Sequence, residues 1–487
     1  MRTPLRILGA TVVVSLAAAA VPLLSSTQAQ AVKFTGGNLV VYRVGDGSGA
    51  LTNAAAPVFL DEFTPDGDAV SSLALPTTAD GANQPLTAVG QSRSEGLIAN
   101  SADGKLVTLT GYAAAPGATG PGGISLTGSA PSSVARVVGI VDGDGAYDTS
   151  TVLGSGAPAI VRSAVFDGSQ IWAAGGDGGV LTTSLGSGTV SSIAGGNDAN
   201  ISSLTIQDGQ LFASGILANR LSAVGTGTPT SAASLTDLTG LPDNLLTYGY
   251  AFLDLTSAGF GGTDLDTLYV ANASERGGAV DKYRFDGSTW TSEGSVDVPG
   301  ATGLVADAEG SSVSIAVTTP SQLLLVTDPN GAGTSFDVDD PAVLATADAN
   351  TEFRGVALAP TGILDVPDNA LEAGKYGWTD QRITRTGTWK SYAFAKAPGK
   401  KGITSKKKGS AATATVLGGQ VVITFSTSPT AGKAQVVVDG KKTTVDTKAA
   451  KAGTLVKKFA LSADDLHTVS VKVLSAKSVS LALLQVK

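Results

Sequence analysis

The sequence predicts an all-β protein, a six- or seven-bladed β-propeller followed by a small, jelly-roll-like β-sandwich. Three observations carry this expectation. A tight turn followed by an alternating apolar strand recurs from about residue 38 to residue 360. Nothing in that stretch sustains the three-and-four apolar spacing of a helix. The charge also changes sign along the 487 residues: 365–487 hold 20 Lys and Arg against 8 Asp and Glu, and the preceding residues hold 13 against 33. A compositional break of that size marks a module boundary.

Residues 1–31 read as a signal peptide. Arg2 and Arg6 precede an apolar run from Ile7 to Leu24, and Ala29-Gln30-Ala31 supplies a small-x-small cleavage site. A membrane anchor is the weaker reading, because alanine dominates the run and no second long apolar segment exists. The expectation is a secreted protein, extracellular or associated with the cell surface, without a transmembrane anchor. Cysteine is absent, so no disulfide staples the fold, and a chain of this length can bury large cores without one.

Residues 32–364 form the expected propeller. The unit is clearest at 161–184, VRSAVFDGSQIWAAGGDGGVLTTS, and it recurs at SADGKLVTLTGY from Ser101, TIQDGQLFASGIL from Thr205, DTLYVANA from Asp266, YRFDGSTW from Tyr283 and ADAEGSSVSIAVTT from Ala306. Asp-Gly tolerates the positive φ that a short hairpin connection needs, and alternation puts Val, Leu, Ile and aromatics on one face. A lone hairpin cannot bury that face, so the units must stack. Their spacing of roughly 40 to 60 residues suits a blade of four short strands. A row of β-sandwiches is the rival arrangement. FRGVALAP, 353–360, has the place of a last blade strand, and NLVVYRVG, 38–45, that of an N-terminal strand that could complete the final blade.

EGLIANSADGKLVTLTGY from Glu95, GLVADAEGSSVSIAVTT from Gly303 and FRGVALAP resemble blades of secreted bacterial β-propellers of the NHL and gluconolactonase-like kind. The resemblance is generic and implies the fold. Gluconolactonase-like chemistry would add a metal held by Glu, Asn and Asp in the funnel. Neither WD40 nor YWTD signatures occur, and Asp286-Gly287-Ser288-Thr289-Trp290 misses the sialidase Asp-box spacing by one residue.

Turn-forming residues make 365–377 a linker, and 378–487 reads as a basic sandwich with a hairpin at Asp439-Gly440. Gly387-Thr388-Trp389, Gly432-Lys433-Ala434-Gln435-Val436 with Asp439-Gly440, and His467-Thr468-Val469 resemble the galactose-binding-like sandwiches appended to secreted bacterial proteins. Carbohydrate binding is what that resemblance implies, with no contact residue carried over. Trp378 and Trp389 are the candidates for exposed rings that stack on sugar, whereas Trp172 and Trp290 sit in strand patterns and read as core.

The chemistry is narrowed mainly by what is missing. His467 is the single histidine, placed at a strand start where a structural role is expected. A Ser-His-Asp mechanism needs a base beside its nucleophile, yet this histidine is remote in sequence from the propeller, and no G-x-S-x-G elbow occurs. Histidine-ligated zinc is excluded by the same count. Asp142, Asp144 and Asp148 share one loop and form the candidate metal site, with calcium the ion that carboxylate oxygens suit. The loop fails the EF-hand spacing, however, and a plain turn explains it. Asp61, Glu62, Asp254, Asp264 and Asp266 are acids that could line a channel or cap turns. A phytase-like phosphate site is disfavoured by the few basic residues of the propeller. KAPGKKGITSKKKG, 396–409, reads as a solvated loop, and without interleaved aromatics it argues against nucleic acid.

These readings add up to an exported binding or surface-associated protein, non-catalytic, whose C-terminal module holds a polysaccharide or cell-wall polymer. No cofactor other than calcium is implied. The alternative is a carboxylate- or calcium-dependent hydrolase or lyase acting on a sugar or phosphate substrate in the propeller funnel.

Overall fold

The computed structural model describes residues 32–487 apart from 196–199, 216–220, 257, 274–276, 337, 339, 363–369 and 462–465. The expected signal peptide lies outside the described residues. Strands from Leu39 to Leu358 form six four-stranded blades, with the short strand Thr87–Val89 pairing between the last blade and the first, and strands from Ala370 onward form two packed sheets.

From the innermost strand outward, blade 1 is Ala99–Asn100, Val107–Tyr112, Arg136–Val141 and Tyr147–Leu153. Blade 2 runs Val161–Phe166, Gln170–Gly175, Val180–Ser184 and Ser191–Ala194. Blade 3 is Ile201–Gln207, Gln210–Gly215, Leu221–Val224 and Leu235–Asp237, and blade 4 is Thr247–Leu253, Thr267–Asn272, Ala279–Phe285 and Trp290–Asp297. Blade 5 is Leu304–Glu309, Ser312–Thr318, Gln322–Asp328 and Ala342–Thr346. Blade 6 takes its inner strand, Glu352–Leu358, from the end of this region and the other three, Leu39–Val44, Ala55–Phe63 and Ala69–Ala74, from its beginning. Leu39 faces Leu358 and Val40 faces Ala357 across that junction.

Both faces of the second strand of each blade pack against neighbouring blades, which is why the alternation in the sequence is imperfect. Leu211 and Ala213 pack towards blade 2, while Phe212 between them packs with Phe252 and Trp290 of blade 4. Val40, Tyr42 and Val44 likewise face blade 1 and their neighbours Leu39 and Val41 face blade 5. A period-two strand between two neighbours therefore reads as a continuous apolar run. Each of the six blade-to-blade interfaces has its own buried cluster. Trp172 and Trp290 lie in these interfaces, as their strand patterns predict.

Hydrogen bonds also pass from blade to blade around the axis. The amide of Leu97 donates to Arg162 O, Leu204 N to Ser163 Oγ and Ser214 Oγ to Tyr248 O. Gly249 N donates to Thr302 O, Thr302 Oγ1 to Arg354 O, and Gly355 N to Gly96 O, which returns to blade 1. The inner strands come so close that a Cβ on Gly355 would meet Ile98 N at 2.5 Å and Gly96 O at 2.6 Å.

In the sandwich, one sheet is built from Ala370–Leu371, Thr384–Thr386, Ala411–Leu417, Lys433–Val438, Lys441–Asp446 and Leu466–Val473. The other holds Gly374–Tyr376, Lys390–Ala393, Lys401–Ser405, Gln420–Thr427, Gly453–Ala460 and Val479–Val486. Two short strands of the segment expected as a linker thus pair into these sheets. The hairpin at Asp439-Gly440 has both residues at positive φ, 46° and 78°, the geometry that a two-residue turn requires. No helix among the described residues is long and apolar enough to cross a membrane.

Candidate active site

At or near the start of each inner strand, one residue precedes a glycine or serine, several of which take part in the blade-to-blade hydrogen bonds. These residues are Glu95, Arg162, Ser202, Tyr248, Thr302 and Arg354. One acid and two guanidiniums therefore meet around the end of the axis where the inner strands begin. Glu95, Arg162 and Arg354 are all buried, and Tyr248, Asn200 and Glu352 are half-buried around them.

Glu95 is held from two sides. Its Oε1 accepts the Val89 amide at 2.7 Å and its Oε2 accepts the Tyr112 hydroxyl at 2.9 Å. Loss of water outweighs these bonds and the nearby Arg354 and Arg162 charges, so burial pushes the carboxyl up to about 7. The Tyr112 ring lies against Arg136, whose guanidinium sits 5.1 Å from the ring centre and donates to the carbonyls of Leu126, Ser129 and Pro158. Burial raises the Tyr112 hydroxyl well above its ordinary value and lowers Arg136.

Arg354 donates through Nη2 to Val89 O at 3.3 Å and Gly90 O at 3.0 Å, and lies 3.4 Å from Glu352 Oε2. Its Nε and Nη1 have no hydrogen-bond partner among the described residues. Arg162 reaches Asn200 Oδ1 and Ile201 O through Nη1, and its Nε, like the hydroxyl of Ser202, has no partner among the described residues. Burial lowers Arg162, opposed by the charges of Tyr248 and Glu95. At the rim, exposed Arg93 pairs with Glu352 at 2.8 Å. A carboxyl that exchanges its proton near neutrality, facing donors not committed to the protein, can perform acid–base chemistry on a polar group.

The later residues of the inner strands enclose a cavity of about 280 Å³, lined by Asn100, Ser101, Gln207, Asp208, Tyr250 and strand backbone. Asn100 is committed to Leu358, donating to its carbonyl and accepting its amide. Asp208 is a turn residue at φ 45° whose carboxylate accepts the Asp264 amide.

The acids singled out from the sequence are not gathered here. Asp142 Oδ1 accepts the amides of Asp144 and Ala146, Asp144 pairs with Lys33 at 3.1 Å, and Asp148 accepts Ser150. No group of three or more acids or histidines is placed to hold a metal among the described residues. Glu62 is buried and accepts from Thr35, Asn38 and Ser71, while Asp266 accepts from the Leu255 and Thr256 amides. Asp61 pairs with Arg43. His467 Nδ1 lies 2.6 Å from Asp439 Oδ2, tying a strand start to the hairpin turn.

The expected exposure of Trp378 is corrected: its ring is fully buried with Phe425, Val471 and Leu484, because Gly374–Tyr376 joins a sheet and carries the next residues into the core. Trp389 is half-buried, with its indole N–H given to Thr386 O and Ala411 O. The solvated loop expected at 396–409 contains the strand Lys401–Ser405, paired on both sides.

No family model matches the chain, and no curated protein matches it. Solved structures do. The exo-β-1,3-galactanase of Phanerochaete chrysosporium with galactose aligns at 9% identity and a TM-score of 0.28, over 68% of this chain and 95% of its own. A candidate 6-phosphogluconolactonase from Bacteroides uniformis aligns at 12% and 0.34, over 65% and 99%. A family two carbohydrate esterase from Cellvibrio japonicus aligns at 18% and 0.20, over 23% and 33%. None of them carries a residue over to this chain. Against the expectation of a non-catalytic binding or surface-associated protein stand the names these solved structures bear, which are those of carbohydrate-converting enzymes.

The sequence reading missed Glu95, Arg162 and Arg354, although all three begin or nearly begin fragments used to find the blades: EGLIAN, VRSAVF and FRGVAL. Aligning those fragments on the following Gly or Ser is the signal that brings them to one level.

Proposed function

We propose that the protein is an exported carbohydrate-active hydrolase or lyase whose proton-transferring group is Glu95. The observation that carries this reading is a buried carboxyl held near neutrality beside two arginines whose N–H groups are partly unmatched among the described residues, at one end of the propeller axis. At pH 7 such a carboxyl is present in both forms. The acid form can protonate a departing sugar oxygen as water adds, and the carboxylate then recovers a proton from that water. In an elimination one group suffices: the carboxylate takes the ring proton and returns it to the leaving oxygen. Arg162 and Arg354 supply fixed positive charge where negative charge develops. The sandwich is the galactose-binding-like accessory module in this reading, and the leader before Val32 exports the enzyme.

The test is turnover of neutral and uronate polysaccharides, followed through new reducing ends and the absorbance of unsaturated products. Glu95→Gln should lower kcat at least about a hundredfold, the usual worth of a positioned acid–base group, with circular dichroism unchanged. The wild-type kcat/KM profile should inflect near the pKa of about 7. A folded Glu95→Gln variant that turns over at the wild-type rate ends the proposal.

A further inference from the structure

The sandwich carries a second site, independent of the propeller chemistry. Between Gln381 and Val438 the chain has ten Lys and Arg and no Asp or Glu. The fold turns part of that run into a cleft of about 550 Å³, lined by Thr388, Lys390, Thr404, Ser405, Lys406, Lys407 and Ser478. Lys390–Ala393 is an edge strand paired with Lys401–Ser405, so Lys390 meets Lys406 and Lys407 across the cleft. The three lysines are exposed and form no ion pair among the described residues. Hydroxyls fill the space between them: Thr404 Oγ1 lies 2.9 Å from Ser478 Oγ and accepts Ser480 Oγ at 2.8 Å, and Ser405 Oγ donates to Ser410 Oγ at 3.1 Å.

We propose that this cleft binds an anionic polysaccharide, its acid groups held by Lys390, Lys406 and Lys407 and its hydroxyls by the Thr and Ser lining. Ammonium groups without carboxylate partners hold a positive potential that a polyanion neutralises, whereas a neutral glycan gains nothing from them. The hydroxyl lining favours a sugar chain over nucleic acid, since no aromatic ring lines the cleft to stack a base. Carboxylate and phosphodiester groups are equivalent to three point charges, so both are ligands of the one chemistry.

The full mature chain would be titrated with polygalacturonate, a phosphodiester-bearing phosphomannan, dextran and single-stranded DNA at several salt concentrations. One or both anionic polymers should bind, more weakly as salt rises, and dextran should not. Which of the two binds identifies the acid group. The triple variant Lys390→Glu, Lys406→Glu, Lys407→Glu should weaken binding at least about tenfold, while Lys441→Glu, Lys442→Glu, Lys448→Glu, with the same net change on exposed positions, should alter it less than about threefold. Equal losses in the two triple variants, no binding of either polyanion, or DNA bound as tightly as the glycans would each overturn the proposal. Because the readout is binding, it stands or falls apart from the turnover assigned to Glu95.

Discussion

Glu95 couples the stability of the fold to pH. Its carboxyl rises from an ordinary 4.5 to about 7 because burial removes its water. Between those values the folded protein keeps a proton that the unfolded chain releases, so stability is highest below about pH 4.5 on this account and falls as pH rises towards 7. At about 1.4 kcal/mol for each unit, the loss amounts to roughly 3 kcal/mol and is complete above the folded value. Denaturant unfolding at pH 5, 6, 7 and 8 should show this fall in the wild type and a flatter profile in Glu95→Gln; identical profiles would mean that the carboxyl titrates normally. The residue scale is also where sequence reading was weakest. Glu95 and Asp61 are both acids near apolar strands, and only the fold gives one a dry site and the other a salt bridge with Arg43. Trp378 and Trp389 stand close together in sequence, yet one is enclosed between two sheets and the other sits at an edge.

At the scale of the element, the two-residue turns were legible because their physics is local. Asp208-Gly209 has φ values of 45° and 71°, close to those of Asp439-Gly440, and both join strands as the dipeptide predicts. The glycines at the start of the inner strands answer to a different demand. Gly355 approaches Ile98 and Gly96 too closely for a side chain, and those contacts join the last blade to the first. Gly355→Ala should cost about 1–3 kcal/mol through overpacking, measurable as a lower denaturation midpoint. Gly37, where a Cβ would meet nothing, provides the comparison: its positive φ alone should make alanine cost about 1 kcal/mol. A Gly355→Ala variant no less stable than wild type would contradict the close approach.

For the whole molecule, the decisive contact is the pairing of Leu39–Val44 with Glu352–Leu358. Each blade buries its faces only because another stands on either side, so removing one strand exposes more than its own surface. Deleting residues 38–45 would uncover the inner strand of blade 6 and one wall of the cluster that holds Val58, Leu60 and Val107. The expected outcome is loss of the cooperative thermal transition, with aggregation seen by light scattering, since an unpaired apolar edge recruits other chains. A truncated chain that melts sharply at the wild-type temperature would show that the blades do not depend on closure.

The sequence alone determined what depends on neighbours along the chain: the β-character, the Asp-Gly turns, the repeat of blade-sized units and the segments available to close the first blade on the last. Strand periodicity and turn chemistry act over a few residues, and both can be read from a string. Only the tertiary structure decided which acid loses its water, which tryptophan enters a core and which lysines share a cleft. Burial and electrostatic environment are set by residues hundreds of positions apart, as when Arg354 is brought beside Val89 and Gly90. No local pattern records that approach.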